Sequence, residues 1–310
     1  MSYQERHYRQ HLSLAQRSNA LIMLISINLI IFAALKFVMA IYYLRYGNGA
    51  YAEVNFQNNI LKWFTLPADV KQLATRPWTI ITYMFTHEGI WHIIGNMLWL
   101  WCFGYILQDL TGNRKIFPVF LYGGFAGALS IIIAYNFFPA LQPHLAVQQA
   151  LGASAGVMAI AAAVTTLSPG YRIFPMLNGG FPIWILTAIF LVIDLATIPQ
   201  DNPGGHIAHI AGALAGFLFI FFYQRGHDWG GWMNNFYDWF TNLFNPDKPK
   251  KGKSVKQQLY YRSSSRKPYH KTPNVTAQRV DEILDKINQE GYDALTDEEK
   301  ELLKKASRDY

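Results

Sequence analysis

Long apolar runs separated by short polar stretches dominate the first two thirds of the chain. A helix that crosses a membrane needs roughly 20 mostly apolar residues. Six runs approach this length and predict six transmembrane helices, with boundaries good to a few residues. The predicted spans cover residues 19–44, 90–110, 117–138, 152–167, 181–198 and 206–223. The fourth and sixth spans are short and rich in Gly and Ala, which lets helices approach each other closely.

The pattern changes after the sixth span. Residues 225–273 begin with an aromatic-rich stretch that suits the membrane interface, and they continue as a basic linker that we expect to be disordered. Apolar residues then return at the spacing of one helix face, at Val280, Ile283, Leu284 and Ile287. Gly291 predicts the end of this helix, and Thr296 with Glu299 predicts a capping box for a second one. The end of the chain is therefore predicted to be a small helical hairpin.

These patterns predict an all-α fold, a six-transmembrane-helix bundle with a small soluble helical tail. The first apolar run is longer than that of a cleavable signal peptide, so we expect it to be the first span. The predicted regions are an N-terminal cytoplasmic segment at 1–18, a membrane domain at 19–224, an interfacial segment and linker at 225–273, and a cytoplasmic helical hairpin at 274–310.

Composition agrees with a membrane protein. Hydrophobic residues make up 51% of the 310 residues and charged residues 15%, against roughly 25% charged residues in soluble domains. The net charge of +7 comes from short basic stretches beside apolar segments, which favours a role in orientation and lipid contact and excludes nucleic acid as the expected partner. A single cysteine, Cys102, rules out an intramolecular disulfide.

Orientation follows from the Lys and Arg residues of the short loops. If there are six spans, one side of the membrane collects the basic residues Arg6, Arg9, Arg17, Arg114, Lys115, Arg172 and Arg225. The opposite loops at 136–151 and 199–205 have no Lys or Arg. We therefore expect a multi-pass protein of the cell (inner or plasma) membrane with both termini cytoplasmic. The second, fourth and sixth spans then all begin on the outer side.

Polar residues cluster near the starts of these three spans. The second span carries His92 and Asn96, the fourth begins near Ser154, and the sixth carries His209. Ser154 alone would be taken for a packing residue in a Gly/Ala helix, and His209 alone could bond a backbone carbonyl. Together they form the parts of a nucleophilic site: a serine, a base for its proton, and donors for an oxyanion.

Two alternatives concern the histidines. His206 competes with His209 as the base, but glycines three and seven residues after His209 would let the sixth span press against the fourth, where Gly152 and Gly156 have the same four-residue spacing. A metal site built from His92, His206 and His209 is the second alternative. A zinc helix places two histidines four residues apart, whereas His87 and His92 are five residues apart.

The motifs resemble those of the rhomboid family of intramembrane serine proteases. The resemblance covers the six spans and is carried by His92-x-x-x-Asn96, Gly152-x-Ser154, Ala208-His209-x-x-Gly212-x-x-x-Gly216 and Arg76-Pro77-Trp78. The helical tail resembles that of some bacterial relatives.

The resemblance implies a Ser154–His209 dyad, with His92, Asn96 and the Ser154 backbone N–H around the oxyanion. It implies a rhomboid-like bundle in the lipid bilayer that takes transmembrane protein substrates laterally, near the fifth span. Cleavage is expected near the outer membrane boundary, and no cofactor or metal is expected. The oligomeric state does not follow from the sequence.

Two positions depart from the usual family pattern. Ala155 stands where many members have Gly directly after the nucleophile, which could change substrate fit. Gln108 stands where many have Glu, which puts a hydrogen-bond network of the second span in question. Asp194 is a charge within the fifth span, and we take contact between it and the substrate gate as a hypothesis.

Two other classes of function stay open. A non-catalytic rhomboid-like protein would bind membrane helices in a binding or quality-control role without cutting them, although such a protein need not keep both Ser154 and His209. A small transporter is compatible with six spans, but the sequence shows no paired half-repeats of the kind that many transporters contain.

Overall fold

The computed structural model describes residues 19–47, 49–173, 179–236 and 277–307. They belong to two compact units, one within residues 1–244 and one within 245–310. The predicted segment at 1–18 and most of the predicted linker, residues 237–273, lie outside the described residues.

The first unit is helical, as the apolar runs predict. Its helices are α1 (Ala20–Tyr46), α2 (Gly49–Asn59), α3 (Val70–Thr75), α4 (Thr79–Thr82), α5 (Ile90–Thr111), α6 (Ile116–Phe137), α7 (Ser154–Leu167), α8 (Ile183–Thr197) and α9 (Pro203–Tyr223). Two short antiparallel pairs join β1 (Leu66–Pro67) to β2 (Gln149–Ala150) and β3 (Arg172–Ile173) to β4 (Phe181–Pro182). The first pair connects the long loop after α1 to the segment that leads into α7.

The prediction of an all-α membrane bundle is confirmed. Four helical stretches of the described chain are long and apolar enough to cross a membrane, at Ala20–Tyr46, Ile90–Thr111, Asn113–Phe137 and Pro203–Tyr223. The apolar helices α7 and α8 are shorter. With 14 residues, α7 is about 21 Å long, less than the roughly 30 Å of a bilayer's hydrocarbon core. A helix of this length, enclosed by longer ones, can begin below the membrane surface.

Helix α7 is the centre of the bundle, because every residue from 155 to 164 is buried. It packs against α5, α6, α8 and α9. The contact with α9 depends on two glycines: a methyl group at Gly212 would overlap the carbonyl oxygen of Ala155, and one at Gly216 would overlap that of Ala159. The predicted pressing of α9 on α7 is therefore present.

The neighbours of Gly152 and Gly156 differ from the prediction. Gly156 does not face α9, since a methyl group there would meet the ring of Phe120 on α6. Gly152 precedes α7 and forms the turn before Ser154, with φ +124°. The matching four-residue spacing of the glycines in the two spans therefore does not mark one shared interface. Gly156 lets α7 approach α6, whereas Gly212 lets α9 approach α7.

The network around Gln108 is intact with the neutral side chain. Gln108 Nε2 donates to Asn19 Oδ1 at 3.1 Å and to Asn113 Oδ1 at 2.8 Å. Asn19 caps α1 by accepting from the backbone N–H groups of Leu21 and Ile22. Gln108 is 3% exposed, so these bonds satisfy a buried amide and tie the start of α1 to the end of α5.

The second unit contains α10 (Ala277–Glu290) and α11 (Asp297–Ala306). The predicted capping box is present, because Thr296 Oγ1 accepts from the Glu299 N–H and the Glu299 carboxylate accepts from the Thr296 N–H. Ile283 is buried, whereas Leu284 is 48% exposed. The apolar contact of this hairpin is therefore narrower than the four-residue face that the sequence predicted, since two short helices cover only one stripe of each other.

Candidate active site

Ser154 is the first residue of α7, and a sharp turn precedes it. Gly152 has φ +124°, a conformation that L side chains rarely adopt. A Cβ at this position would also lie 2.9 Å from His92 Nε2. The Gly152 N–H donates to the Tyr83 carbonyl at 2.9 Å, which holds the turn against the preceding loop. Glycine is therefore required just before Ser154 for both backbone and packing reasons.

A second bond holds the same turn. The backbone N–H of Ala153 donates to Nε2 of His87, 3.4 Å away. His87 is 1% exposed, and its ring lies edge to face with that of His92, with centroids 5.1 Å apart. Burial, and then the proximity of His92, lower the pKa of His87 to about 4. The ring is therefore neutral at pH 7 and can accept the N–H.

This role of His87 did not emerge from the sequence. In the sequence, His87 stands out only as one half of a possible zinc-type pair with His92. The position of His87 in a loop directly before the second span is visible in the sequence. Sequence spacing does not reveal, however, that this loop packs against the start of α7.

A cavity of about 380 Å³ joins the predicted site residues. Its lining includes Ser154 from α7, His209 from α9, and His92 with Asn96 from α5. The apolar part of the lining comes mainly from Trp91, Trp99, Phe103, Val157, Met158 and Phe190. All four predicted site residues thus lie around one space enclosed by apolar helices.

The amide of Asn96 is fixed within its own helix. Asn96 Nδ2 donates to the carbonyl of His92, four residues earlier, at 2.9 Å. This bond orients the amide while Asn96 remains part of the cavity lining. His92 and Asn96 therefore present their side chains from one face of α5, as their spacing predicts.

His209 is anchored through one ring nitrogen. Its Nδ1 lies 2.8 Å from Oδ1 of Asp194 on α8. Because a carboxylate only accepts, the geometry assigns the proton to Nδ1 and leaves Nε2 of a neutral ring as an acceptor. Among the described residues no hydrogen bond joins His209 to the Ser154 hydroxyl, although both line the cavity. Such bonds are often long in unliganded sites.

His206 occupies a different environment. Its Nδ1 lies 2.8 Å from the same Asp194 oxygen and 3.2 Å from Thr197 Oγ1. It is absent from the cavity lining, whereas His209 is part of it. Of these two histidines, only His209 therefore lines the cavity that Ser154 also lines.

The alternative metal trio is not assembled in the described part of the chain. The group of potential ligand atoms that lie within 4.8 Å of one another is Asp194, His206 and His209, without His92. Two hydrogen bonds of 2.8 Å account for this closeness. The sequence does not predict Asp194 as a partner of either histidine.

The Ala155 departure concerns packing. Ala155 is 2% exposed and is not part of the cavity lining. A methyl group at Gly127 of α6 would lie 2.7 Å from the Ala155 Cβ, so this Cβ points toward α6. The extra methyl is accommodated by a glycine on a neighbouring helix and does not enter the cavity.

Comparison with known proteins adds two family matches. The rhomboid domain matches residues 74–226, which include all four predicted site residues. A family of unknown function (DUF6576) matches residues 269–309, which cover the helical hairpin.

Individual relatives match the membrane part of the chain. Rhomboid protein 1, mitochondrial, of Saccharomyces cerevisiae is 25% identical over 159 residues, 50% of this chain and 44% of the relative. The presenilin-associated rhomboid-like protein, mitochondrial, of Bos taurus is 28% identical over 182 residues, 56% of this chain and 44% of the relative. Rhomboid-related protein 2 of Mus musculus is 30% identical over 154 residues, 45% of each chain. The chain thus spans less than half the length of these relatives.

One prediction is wrong in the light of these matches. The sequence predicts a cell (inner or plasma) membrane with both termini cytoplasmic, on the pattern of a bacterial protein. The relatives from Saccharomyces cerevisiae, Danio rerio and Bos taurus are mitochondrial by name. The distribution of Lys and Arg sorts loops between two sides but does not say which membrane is crossed.

The all-α bundle, the apolar spanning helices and the rhomboid domain at residues 74–226 agree with one another. The chain belongs to the rhomboid family of membrane proteins.

Proposed function

We propose that this chain is an intramembrane serine endopeptidase that cleaves transmembrane protein substrates, with Ser154 as nucleophile and His209 as general base. One observation carries the proposal: Ser154, His209, His92 and Asn96 come from three helices and line one cavity inside an apolar bundle. Ionisable side chains are costly in such surroundings and tend to have a function.

The chemistry begins at Ser154. As His209 takes the hydroxyl proton, Ser154 Oγ attacks the carbonyl carbon of the scissile peptide bond. The proton then passes from His209 to the leaving amine, and an acyl-enzyme remains. Water attacks this ester with His209 again as the base, which releases the acid product and restores the hydroxyl.

Negative charge develops on the carbonyl oxygen in both steps. The proposed donors are the His92 ring, the Asn96 amide and the backbone N–H of Ser154, which belongs to the unpaired first turn of α7. The positive end of the helix dipole favours the same oxyanion. Each such donor typically contributes about 10²–10³-fold to the rate in serine proteases.

Substrate would reach the cavity from the bilayer beside α8. Phe190 of α8 contacts Trp99 of α5 edge to face, with centroids 4.9 Å apart. Both side chains also line the cavity. A transmembrane substrate could therefore enter by parting these two helices, and its unwound end would meet Ser154. The names of the mitochondrial relatives favour a mitochondrial membrane for this reaction.

The test is labelling of the purified full chain by a fluorophosphonate, together with cleavage of a panel of transmembrane reporter substrates. Wild type should label and cleave, while Ser154→Ala and His209→Ala should do neither. Matched controls are Ser130→Ala, whose hydroxyl donates to the Gly127 carbonyl of α6, and His144→Ala in an exposed loop turn. Both controls should behave like wild type.

A folded wild type that neither labels nor cleaves would refute the proposal and favour the non-catalytic role of binding membrane helices. Labelling that survives Ser154→Ala would refute the choice of nucleophile. The controls separate these outcomes from general loss of fold, because each makes the same chemical change at another site.

A further inference from the structure

Asp194 is a buried carboxylate within the apolar helix α8. It is 6% exposed, and the rest of this 15-residue helix is uncharged. A buried charge is costly unless other groups compensate it. Asp194 has no role in the chemistry proposed above, so its burial in an apolar helix must have another reason.

The compensation comes from α9. His206 and His209, three residues apart, both direct Nδ1 to the same oxygen, Oδ1 of Asp194, at 2.8 Å each. One carboxylate oxygen has two lone pairs and can accept both protons. The short connection between the helices is itself ordered by Asn202, which adopts φ 43° and accepts from the Gly205 N–H to cap α9. The bonds to Asp194 direct both Nδ1 atoms toward α8.

The consequence falls on His209 in particular. A neutral imidazole has two tautomers, and only the one protonated at Nδ1 leaves Nε2 free to accept a proton from a serine. Asp194 favours this tautomer and also stabilises the imidazolium that forms when the proton is taken. His206 has a second partner in Thr197, and His209 is the one of the two that lines the cavity.

We propose that Asp194 is a positioning residue for His209, so that the site works as a serine–histidine pair oriented by a carboxylate on the helix beside which substrate enters. This inference rests on the proposed function and extends it. Asp194 also lines the cavity, but its Oδ1 is bonded to the two histidines of α9. Its loss should therefore act through His209, lowering turnover and leaving substrate binding near that of wild type. Movement of α8 during substrate entry would act on the base through the same bond.

Kinetics provide the first test. In Asp194→Asn, the amide can turn its NH₂ group toward Nδ1 and favour the wrong tautomer. We expect kcat to fall at least about 10-fold, with KM and the melting temperature near wild type. Asp201→Asn, at an exposed position between α8 and α9, makes the same change away from the histidines and should leave kcat unchanged.

His206→Gln tests a purely structural role. If Asp194 only joined α8 to α9, His206→Gln would lower kcat to a comparable extent, because it removes one of the two bonds that the Asp194 oxygen accepts from α9. We expect a much smaller effect of His206→Gln. Equal effects of the two variants, an unchanged kcat in Asp194→Asn, or a rise in KM alone would overturn the proposal.

A spectroscopic measurement separates this inference from the proposed function. In protein labelled with ¹⁵N-histidine, the His209 signals, assigned by their loss in His209→Gln, should show a protonated Nδ1 in wild type and a changed tautomer in Asp194→Asn. This result would uphold the positioning role even if no substrate were cleaved. Identical His209 spectra in the two proteins would refute it, whatever the activity.

Discussion

The backbone N–H of Ala153 donates to the buried Nε2 of His87, 3.4 Å away. This bond joins the residue before the proposed nucleophile to a side chain 66 positions earlier in the chain. It requires His87 to be neutral, because a protonated ring has no acceptor to offer. The stability of the turn that presents Ser154 is therefore linked to pH.

We expect stability to fall as the pH is lowered through the range in which His87 titrates. The pKa of His87 is 6.5 in its ordinary state and about 4 in the fold, so the unfolded chain takes up the proton first. The contribution is fully present above about pH 6.5 and is lost by about pH 4, with an upper limit of about 3 kcal/mol. The measurement is unfolding in detergent at a series of pH values, for wild type and His87→Gln. If the free energy of unfolding depends on pH in the same way for wild type and His87→Gln across this range, the role of His87 is contradicted.

We expect Gly212→Ala to destabilise the protein by about 1–3 kcal/mol, because the added methyl overlaps the Ala155 carbonyl and forces α9 away from α7. Gly95→Ala is the matched control, since a Cβ at this position of α5 meets no atom within 4 Å. It should be neutral or stabilising by up to about 1 kcal/mol. Thermal unfolding of the two variants provides the comparison, and equal losses would show that the packing between α7 and α9 is not tight.

Gln108→Glu should destabilise the protein by about 1–3 kcal/mol at neutral pH. Glutamate would place a carboxylate against the side-chain oxygens of Asn19 and Asn113, and those oxygens already accept backbone N–H groups at the start of α1. Rotating either amide would break these bonds. Gln142→Glu, in an exposed turn, is the control. Because protonation restores a donor, the loss should shrink at low pH, and a loss independent of pH would argue against this network.

Cleavage should be insensitive to metal chelators. Asp194, His206 and His209 could offer three ligand atoms to a cation, but the proposed reaction uses His209 as a base with its Nδ1 bonded to Asp194. Activity after dialysis against EDTA, and again after addition of Zn²⁺, provides the measurement. A loss on dialysis that zinc restores would support a metal site at these residues and contradict the serine mechanism.

Thr296→Ala should loosen the start of α11 within the full chain. The hydroxyl accepts from the Glu299 N–H as one half of the capping box, and loss of an N-cap typically costs about 1 kcal/mol. Amide hydrogen exchange in the first turn of α11 should accelerate roughly five-fold. Ser307→Ala, beyond the end of the same helix, should leave that turn unchanged. If this turn exchanges its amide hydrogens at the same rate in the two variants, the capping box does not stabilise the helix.

Local patterns determined much of this protein without any structure. Apolar runs placed the starts of the six apolar helices within about three residues, because a lipid-facing helix must be apolar along its whole length. The capping box of Thr296 and Glu299 was likewise visible, since its partners are three residues apart. The set of Ser154, His209, His92 and Asn96 followed from polar residues at matching depths in three predicted spans.

Tertiary structure decided which distant groups meet. Asp194 and His209 share a bond across two helices, His87 and Ala153 share one across 66 residues, and Gly212 faces the backbone of Ala155, while Gly156 faces α6. Periodicity indicates which face of a helix is apolar or small, but it does not specify the rotation and neighbour of that face in the bundle. Those depend on the packing of all helices around α7, and so do the tautomer and orientation of the proposed base.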